Sequence, residues 1–167
     1  MGPTCSIIYE NEPMEENTML QKPRPFSSSF FNRKELSTSI LQGLLITVGT
    51  LLTYQYAVHQ GWNESITRSM VFTALISANI FLTLVNRSFY YSIITTMRYK
   101  NNLVLLIIGI TLLITGLLLF IKPLATFFNF EELTRVQLSM SMGIGFLSVI
   151  WFEGLKWIKR LKSLQKV

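Results

Sequence analysis

Four long stretches of this chain carry no Lys, Arg, Asp or Glu. They read LSTSILQGLLITVGTLLTYQYAV from Leu36, SMVFTALISANIFLTLV from Ser69, NNLVLLIIGITLLITGLLLFI from Asn101 and VQLSMSMGIGFLSVIWF from Val136. A helix that crosses a bilayer needs about 20 apolar residues, with a range of roughly 17–25. All four stretches fit, and they exceed ordinary strand length several-fold. Composition agrees. Hydrophobic residues make up 50% of the chain and charged residues 14%, against roughly 25% charged in a soluble domain. The single cysteine, Cys5, excludes an internal disulfide framework.

The formal net charge is +6, which raises the question of a nucleic-acid partner. The placement of the charge excludes it. Lys22, Arg24, Arg33 and Lys34 precede the first run, and Arg87, Arg98 and Lys100 separate the second from the third. Lys156, Lys159, Arg160, Lys162 and Lys166 follow the fourth. The YAVHQGWNES connection has no Lys or Arg, and Lys122 and Arg135 are offset by Glu131 and Glu132. Basic and poor segments alternate, so the pattern predicts four transmembrane helices with both termini cytoplasmic. The expected fold is an all-α membrane protein. Its spans are about 36–58, 66–86, 101–121 and 136–155, within a bundle over 36–167 that ends in a basic tail. Interfacial aromatics suit this layout: Trp62, Phe127, Phe128 and Phe130 outside, and Phe89, Tyr90, Tyr91, Trp151 and Trp157 inside.

Catalytic signatures are missing: no Gly-rich phosphate loop, no paired-His metal motif, no Cys pair. His59 is the sole histidine and sits at the outer mouth of the first span, a place for a structural or solvated side chain. Asn63-Glu64-Ser65 and Asn86-Arg87-Ser88 match a glycosylation sequon and read as chance matches. Arg68 lies one turn after Glu64, so the two can pair. Glu153 and Lys156 read as an interfacial pair at the inner end of the fourth span. The second span offers neutral polar groups, Thr73, Ser77, Asn79 and Thr83. A mid-span Asn is costly unless it hydrogen-bonds across helices or binds an ion, and the residues alone leave both open. In the fourth span, Ser139 with Gly143 and Ser141 with Gly145 form a doubled small-xxx-small pattern that predicts close helix packing.

Several short motifs, in order along the whole chain, carry a family resemblance. The stretch from Pro3 through Glu10 to Lys22-Pro23-Arg24-Pro25 resembles the end of the sixth transmembrane helix and the following cytoplasmic loop of type II P-type cation-transporting ATPases, calcium-pump-like. Arg68-Ser69-Met70-Val71-Phe72-Thr73 and Leu84-Val85-Asn86-Arg87-Ser88 are similar to the start and end of that family's eighth helix. Asn101-Asn102 opens the ninth in the same way, and Trp151-Phe152-Glu153-Gly154-Leu155-Lys156 resembles the end of the tenth. The resemblance implies that residues 1–35 hold the end of a preceding helix plus a cytoplasmic loop, and that the four spans are helices seven to ten.

The resemblance also implies a role. Such pumps export cations, often calcium, using ATP and Mg through an aspartyl phosphate in a D-K-T-G-T motif. That motif is absent from this chain. The segment alone is therefore expected to bind no cofactor and to hydrolyse no ATP. It would instead support the ion-translocation domain. The implied partners are the lipid bilayer, helices one to six with the cytoplasmic domains, and the transported cation. Lys22, Pro23 and Arg24 would lie in a loop near the phosphorylation domain. Gly2 falls about where calcium pumps carry an aspartate, so a ligand is missing there. Asn79 falls near the eighth-helix ligand position, which makes it the single metal-ligand candidate. The expected location is integral membrane, in a bacterial cytoplasmic membrane, with Met1 as an internal methionine of a longer protein. Two other classes remain at this point. An independent four-helix exporter lacks the first-helix carboxylate it would need, and a noncatalytic scaffold or regulator of a pump is the other.

Overall fold

The computed structural model describes Glu10 and residues 33–87 and 102–164, with side chains from 36 to 87 and from 102 to 158. The 88–101 connection and the N-terminal segment, including Gly2, Lys22, Pro23 and Arg24, lie outside the described residues. The described part is all-helical. The helices are α1 (Arg33–His59), α2 (Glu64–Val85), α3 (Asn102–Phe120), the short α4 (Lys122–Phe127) and α5 (Arg135–Leu164). Four of them are long and apolar enough to cross a membrane: Leu36–His59, Glu64–Val85, Asn102–Phe120 and Arg135–Ile158.

Turn chemistry sets where the helices stop. Gly61 has a positive φ of 71°. Its N–H bonds to the Val58 carbonyl at 3.0 Å, and the Trp62 N–H bonds to the Ala57 carbonyl at 3.3 Å. This is the Schellman pattern, in which a left-handed residue ends a helix and satisfies its last carbonyls. Asn63 then caps α2, its side chain accepting from the Ile66 N–H. The same device ends α4. Asn129, with φ 54°, bonds to Thr126, and Phe130 bonds to Ala125 at 2.7 Å. Between α3 and α4 the chain extends at Ile121, and Pro123 sits in the first turn of α4, where its missing N–H costs nothing. The segment after the third run is thus a separate helix, which hydropathy alone does not reveal.

The helix α2 is the centre of the bundle. It packs most extensively on α5 and next on α1, α1 also packs on α5, and α3 meets α2 over a short stretch only. Two apolar clusters form at these seams. Ile46, Ala78, Val85, Val149 and Phe152 make one, and Ala57, Met70 and Leu133 make the other, covered by Trp62, Ile66 and Leu138. Lipid gives helices no hydrophobic reason to associate, so backbone approach at small residues matters most. Gly145 provides it. A Cβ there would meet the Ala74 carbonyl oxygen at 2.6 Å and the Ala78 nitrogen at 2.9 Å. Gly49 does the same on α1, where a Cβ would run into Ser148 of α5.

The doubled pattern of the fourth span is corrected to a single one. Ser141 is fully buried and shares a face with Gly145. A Cβ on Gly143 meets nothing within 4 Å, and Ser139 is exposed, bonding within its own helix. The two pairs are offset by two residues, about 200° around a helix, so both cannot face α2.

Gly145→Ala should therefore lower stability by about 1–3 kcal/mol, because the obstructing atoms are backbone and cannot rotate away. Gly143→Ala should be neutral or gain up to about 1 kcal/mol from helix propensity. Reversible SDS unfolding of the full chain in mixed micelles, followed by far-UV circular dichroism, measures both. Equal losses in the two variants would contradict the assigned packing face.

Candidate functional site

Polar side chains tie both ends of α2 to neighbouring elements, and Thr73, Ser77 and Asn79 lie in its middle. At the first end the Ser69 hydroxyl binds the loop before α5. It accepts the Glu131 N–H at 2.9 Å and lies 3.0 Å from both the Glu131 and Ser65 carbonyl oxygens, one of which takes its proton. The Asn63 side chain donates to the Glu131 carboxylate at 2.7 Å. Asn63 therefore works twice, as helix cap and as loop anchor, which gives the first sequon match a structural role. Aromatic contacts support the same end: Phe72 on Phe130 at 5.0 Å and Tyr56 on Trp62 at 5.7 Å. Arg68 pairs with Glu64, as their spacing predicts, and His59 is exposed at the end of α1.

At the other end Gln42 of α1 and Asn86, the C-cap of α2, exchange amide bonds. Gln42 Nε2 donates to Asn86 Oδ1 at 3.0 Å, and Asn86 Nδ2 donates back at 3.4 Å. Lys156 of α5 closes the arrangement. It is 3% exposed, donates to the Val85 carbonyl, pairs with Glu153 at 3.0 Å and lies 5.4 Å from the Phe152 ring centre. A cation on the last carbonyls of a helix opposes the negative end of its dipole. Lys156 thus supplies, from α5, the C-terminal charge that α2 lacks in its own last turn. Sequence reasoning found the Glu153–Lys156 pair and missed the carbonyl of α2. The pair is visible at i, i+3 spacing, whereas the second contact depends on how two helices align.

In the middle, Ser77 donates to the Met142 carbonyl of α5 at 3.2 Å, a direct helix–helix bond. Thr73 and Thr83 bond to Ser69 and Asn79 carbonyls of their own helix. Asn79 is half-buried, and its Nδ2 donates to the Leu75 carbonyl at 2.8 Å. Among the described residues nothing bonds its Oδ1. Asn79 shares a stripe with Arg68, Phe72 and Leu75, recurring at three- and four-residue steps. Leu75 is 42% exposed. The buried residues of α2, from Thr67 through Ala78 to Val85, occupy the remaining arc toward α1 and α5. Among the described residues no group of three His, Cys, Asp or Glu side chains could hold a metal ion. The arrangement is a clamped helix that, among the described residues, leaves one neutral oxygen unbonded beside exposed Leu75.

The family described as "Cation transporting ATPase, C-terminus" matches residues 1–158. The chain belongs to this family. Membership accounts for the four apolar helices and makes the chain an integral membrane segment. A similar protein is "Calcium-transporting ATPase 1" of Schizosaccharomyces pombe (strain 972 / ATCC 24843), 22% identical over 154 residues. That match covers 92% of this chain and 17% of the relative, so the chain spans under a fifth of the length of the pump it resembles. The family match takes in both clamps, from Gln42 and Ser69 to Lys156.

Lys156→Met should destabilise the bundle by about 2–4 kcal/mol, since it breaks the buried pair with Glu153 and uncaps α2. Ser69→Ala should cost about 1–3 kcal/mol by leaving the Glu131 N–H unbonded. Exposed Ser139→Ala should stay within about 0.5 kcal/mol of the parent. The same SDS-unfolding midpoints read all three, and a neutral Lys156→Met would remove the cap assignment.

Proposed function

We propose that the chain is the C-terminal membrane portion of an ATP-driven P-type cation pump, in which it braces the ion-translocation domain and contributes one ligand oxygen. The observation that carries this reading is that, among the described residues, nothing bonds Asn79 Oδ1, which lies beside exposed Leu75 on a helix clamped at both ends. An open carbonyl-type oxygen at mid-membrane depth suits a hard cation when carboxylates from elsewhere complete the shell. Calcium is the cation we assign, and the printed name of the fission-yeast relative supports it. The partners in this reading are helices one to six and the cytoplasmic domains. Lys22, Pro23 and Arg24 lie in the loop that faces the phosphorylation domain. ATP and Mg act on those other domains.

Both termini face the cytoplasm in this reading. The support is the alternation of Lys and Arg, together with contacts that set α2 antiparallel to α1, Asn86 near Gln42, and parallel to α5, Val85 near Lys156. We place the segment in a cytoplasm-facing membrane, the bacterial cytoplasmic membrane of the sequence reading. The basic inner flanks support that assignment, and a eukaryotic membrane would satisfy them equally. An independent exporter is disfavoured because the family match runs through residues 1–158.

The test uses the pump that contains this segment, reconstituted in sealed vesicles with calcium as the probe. Asn79→Ala should raise the calcium concentration for half-maximal ATP-driven uptake about tenfold, equivalent to about 1.4 kcal/mol. Asn79→Asp should retain uptake. Unchanged affinity in Asn79→Ala removes the ligand assignment alone. A containing protein that forms no calcium-dependent acid-stable phosphoenzyme removes the pump reading.

A further inference from the structure

The second half of α3 is held away from its neighbours. An apolar cavity of about 310 Å³ separates it from α2 and α5, lined by Ile76, Phe81, Leu112, Gly116, Leu119 and Phe120. Gly116 keeps the space open, since a Cβ there would meet nothing within 4 Å. The hydroxyls that border the cavity are already engaged. Thr73 donates to the Ser69 carbonyl, Ser77 to that of Met142 and Thr115 to that of Thr111. A water held in such a space needs about two to four polar partners, so this cavity suits hydrocarbon instead. Close packing normally leaves few voids larger than a water molecule, and an unfilled one forfeits dispersion contacts along its walls.

Where α3 gives way to α4, a second pocket of about 400 Å³ adjoins the first, because Leu119 and Phe120 border both. Its remaining borders differ in kind: Lys122, Phe130, Glu131 and Glu132. Lys122 and Glu132 are exposed, and among the described residues no ion pair holds either one. Glu131 uses one carboxylate oxygen to accept from Asn63. Phe130 is fixed against Phe72 at 5.0 Å and Phe128 at 5.9 Å. Charges of both signs therefore stand at the rim of an apolar slot. They follow directly on the uncharged third run, at the depth where a bilayer places its headgroups.

We propose that the two joined pockets form one binding site for a zwitterionic phospholipid with a primary-ammonium headgroup. The phosphate lies toward Lys122, the ammonium toward Glu131 and Glu132, and an acyl chain fills the cavity between α3, α2 and α5. Charge complementarity names the headgroup. One cation beside two carboxylates disfavours a net-anionic lipid. A primary ammonium brings N–H donors to the carboxylates, whereas a quaternary ammonium has none to give. The inference rests on the chain lying in a bilayer and is independent of pump activity, so the two can fail separately.

The experiment places the full chain in phosphatidylcholine vesicles with about 30 mol % phosphatidylethanolamine and compares chain-spin-labelled phosphatidylethanolamine with chain-spin-labelled phosphatidylcholine in the motionally restricted shell. The parent should prefer phosphatidylethanolamine about two- to fivefold, the range expected of partly exposed ion pairs. Glu132→Gln and Lys122→Gln should each weaken that preference. Gly116→Leu, which puts a side chain into the cavity, should remove it with the charges intact. Arg135→Gln, at the exposed cation that opens α5, should leave it unchanged. If Gly116→Leu does not incorporate as helix by circular dichroism, Glu132→Gln decides. Equal restriction of the two lipids by the parent overturns the proposal. So does a preference that survives Glu132→Gln or a folded Gly116→Leu, or one lost equally in Arg135→Gln. Millimolar phosphoethanolamine at constant ionic strength should not compete, and competition would replace the lipid with a soluble ligand.

Discussion

A bilayer supplies no hydrophobic drive between helices, so the association of α2 with α5 depends on how closely their backbones can approach. Gly145 fixes that distance. With Ala74 and Ala78 opposite it, the two helices meet with almost no side chain between them. The other contacts follow from this one. At that separation the Ser77 hydroxyl reaches the Met142 carbonyl. About one turn further on, Phe81 meets Phe146 edge-on at 4.9 Å, and beyond them Lys156 reaches the last carbonyls of α2. The first helix joins by a second close approach, Gly49 against Ser148. The third helix has no comparable contact. Gly109 and Gly116 face open space, and an apolar cavity of about 310 Å³ lies between α3, α2 and α5, lined by Ile76, Phe81, Leu112 and Gly116. The bundle is therefore a tight three-helix unit with a loosely attached fourth member.

Polar bonding divides the labour differently from packing. Each end of α2 is tied to a neighbouring element by groups that satisfy helix-terminal atoms. Ser69 and Asn63 tie the start to the loop before α5, and Asn86 and Lys156 tie the end to α1 and α5. An amide pair such as Gln42–Asn86 is costly to slide, because a shift of either helix leaves both amides short of partners in a medium with little water. Such ties fix rotation as well as depth. The stripe of Arg68, Phe72, Leu75 and Asn79 consequently points in one direction only, away from α1 and α5.

Much of this was legible in the amino-acid sequence, for identifiable reasons. The four spans show because lipid forbids charge along a whole helix, which leaves long uninterrupted runs such as Asn101 to Ile121. The Glu64–Arg68 and Glu153–Lys156 pairs show because helical spacing is local. Contacts that depend on the alignment of two helices do not show. Gln42 reads as an ordinary polar residue until Asn86 is opposite it, and Ser69 reads as one more hydroxyl until Glu131 folds over it. The small-residue pattern of the fourth span was readable in kind but ambiguous in direction. Two pairs offset by two residues point to opposite faces, and only the position of α2 selects Ser141 and Gly145. The short α4 was signalled by Lys122-Pro123, which extends the backbone at Ile121 and starts a new helix, yet hydropathy runs smoothly past it.

The uncovered stripe has a cost that bears on how such a segment is used. Asn79 at mid-span donates one amide proton to Leu75, and among the described residues nothing bonds its Oδ1. A carbonyl-type oxygen without a donor in an apolar medium loses roughly 1–3 kcal/mol. Sequence could have avoided that loss with Leu or Val at this position, as it does at most positions of α3. The surrounding bonds do not relieve it either, because the clamps at both ends of α2 stop the helix from rotating Asn79 toward α5. A rigid helix that holds an acceptor outward is stable in two circumstances: another helix or a cation supplies the missing positive charge, or water reaches the site. The first matches a segment that spans under a fifth of a larger relative, where further helices are available to cover α2. On this view the clamps and the open oxygen belong to one arrangement. The bonds at the two ends keep α2 from adjusting to lipid, so that its exposed acceptor stays aligned for what the rest of the membrane domain brings to it.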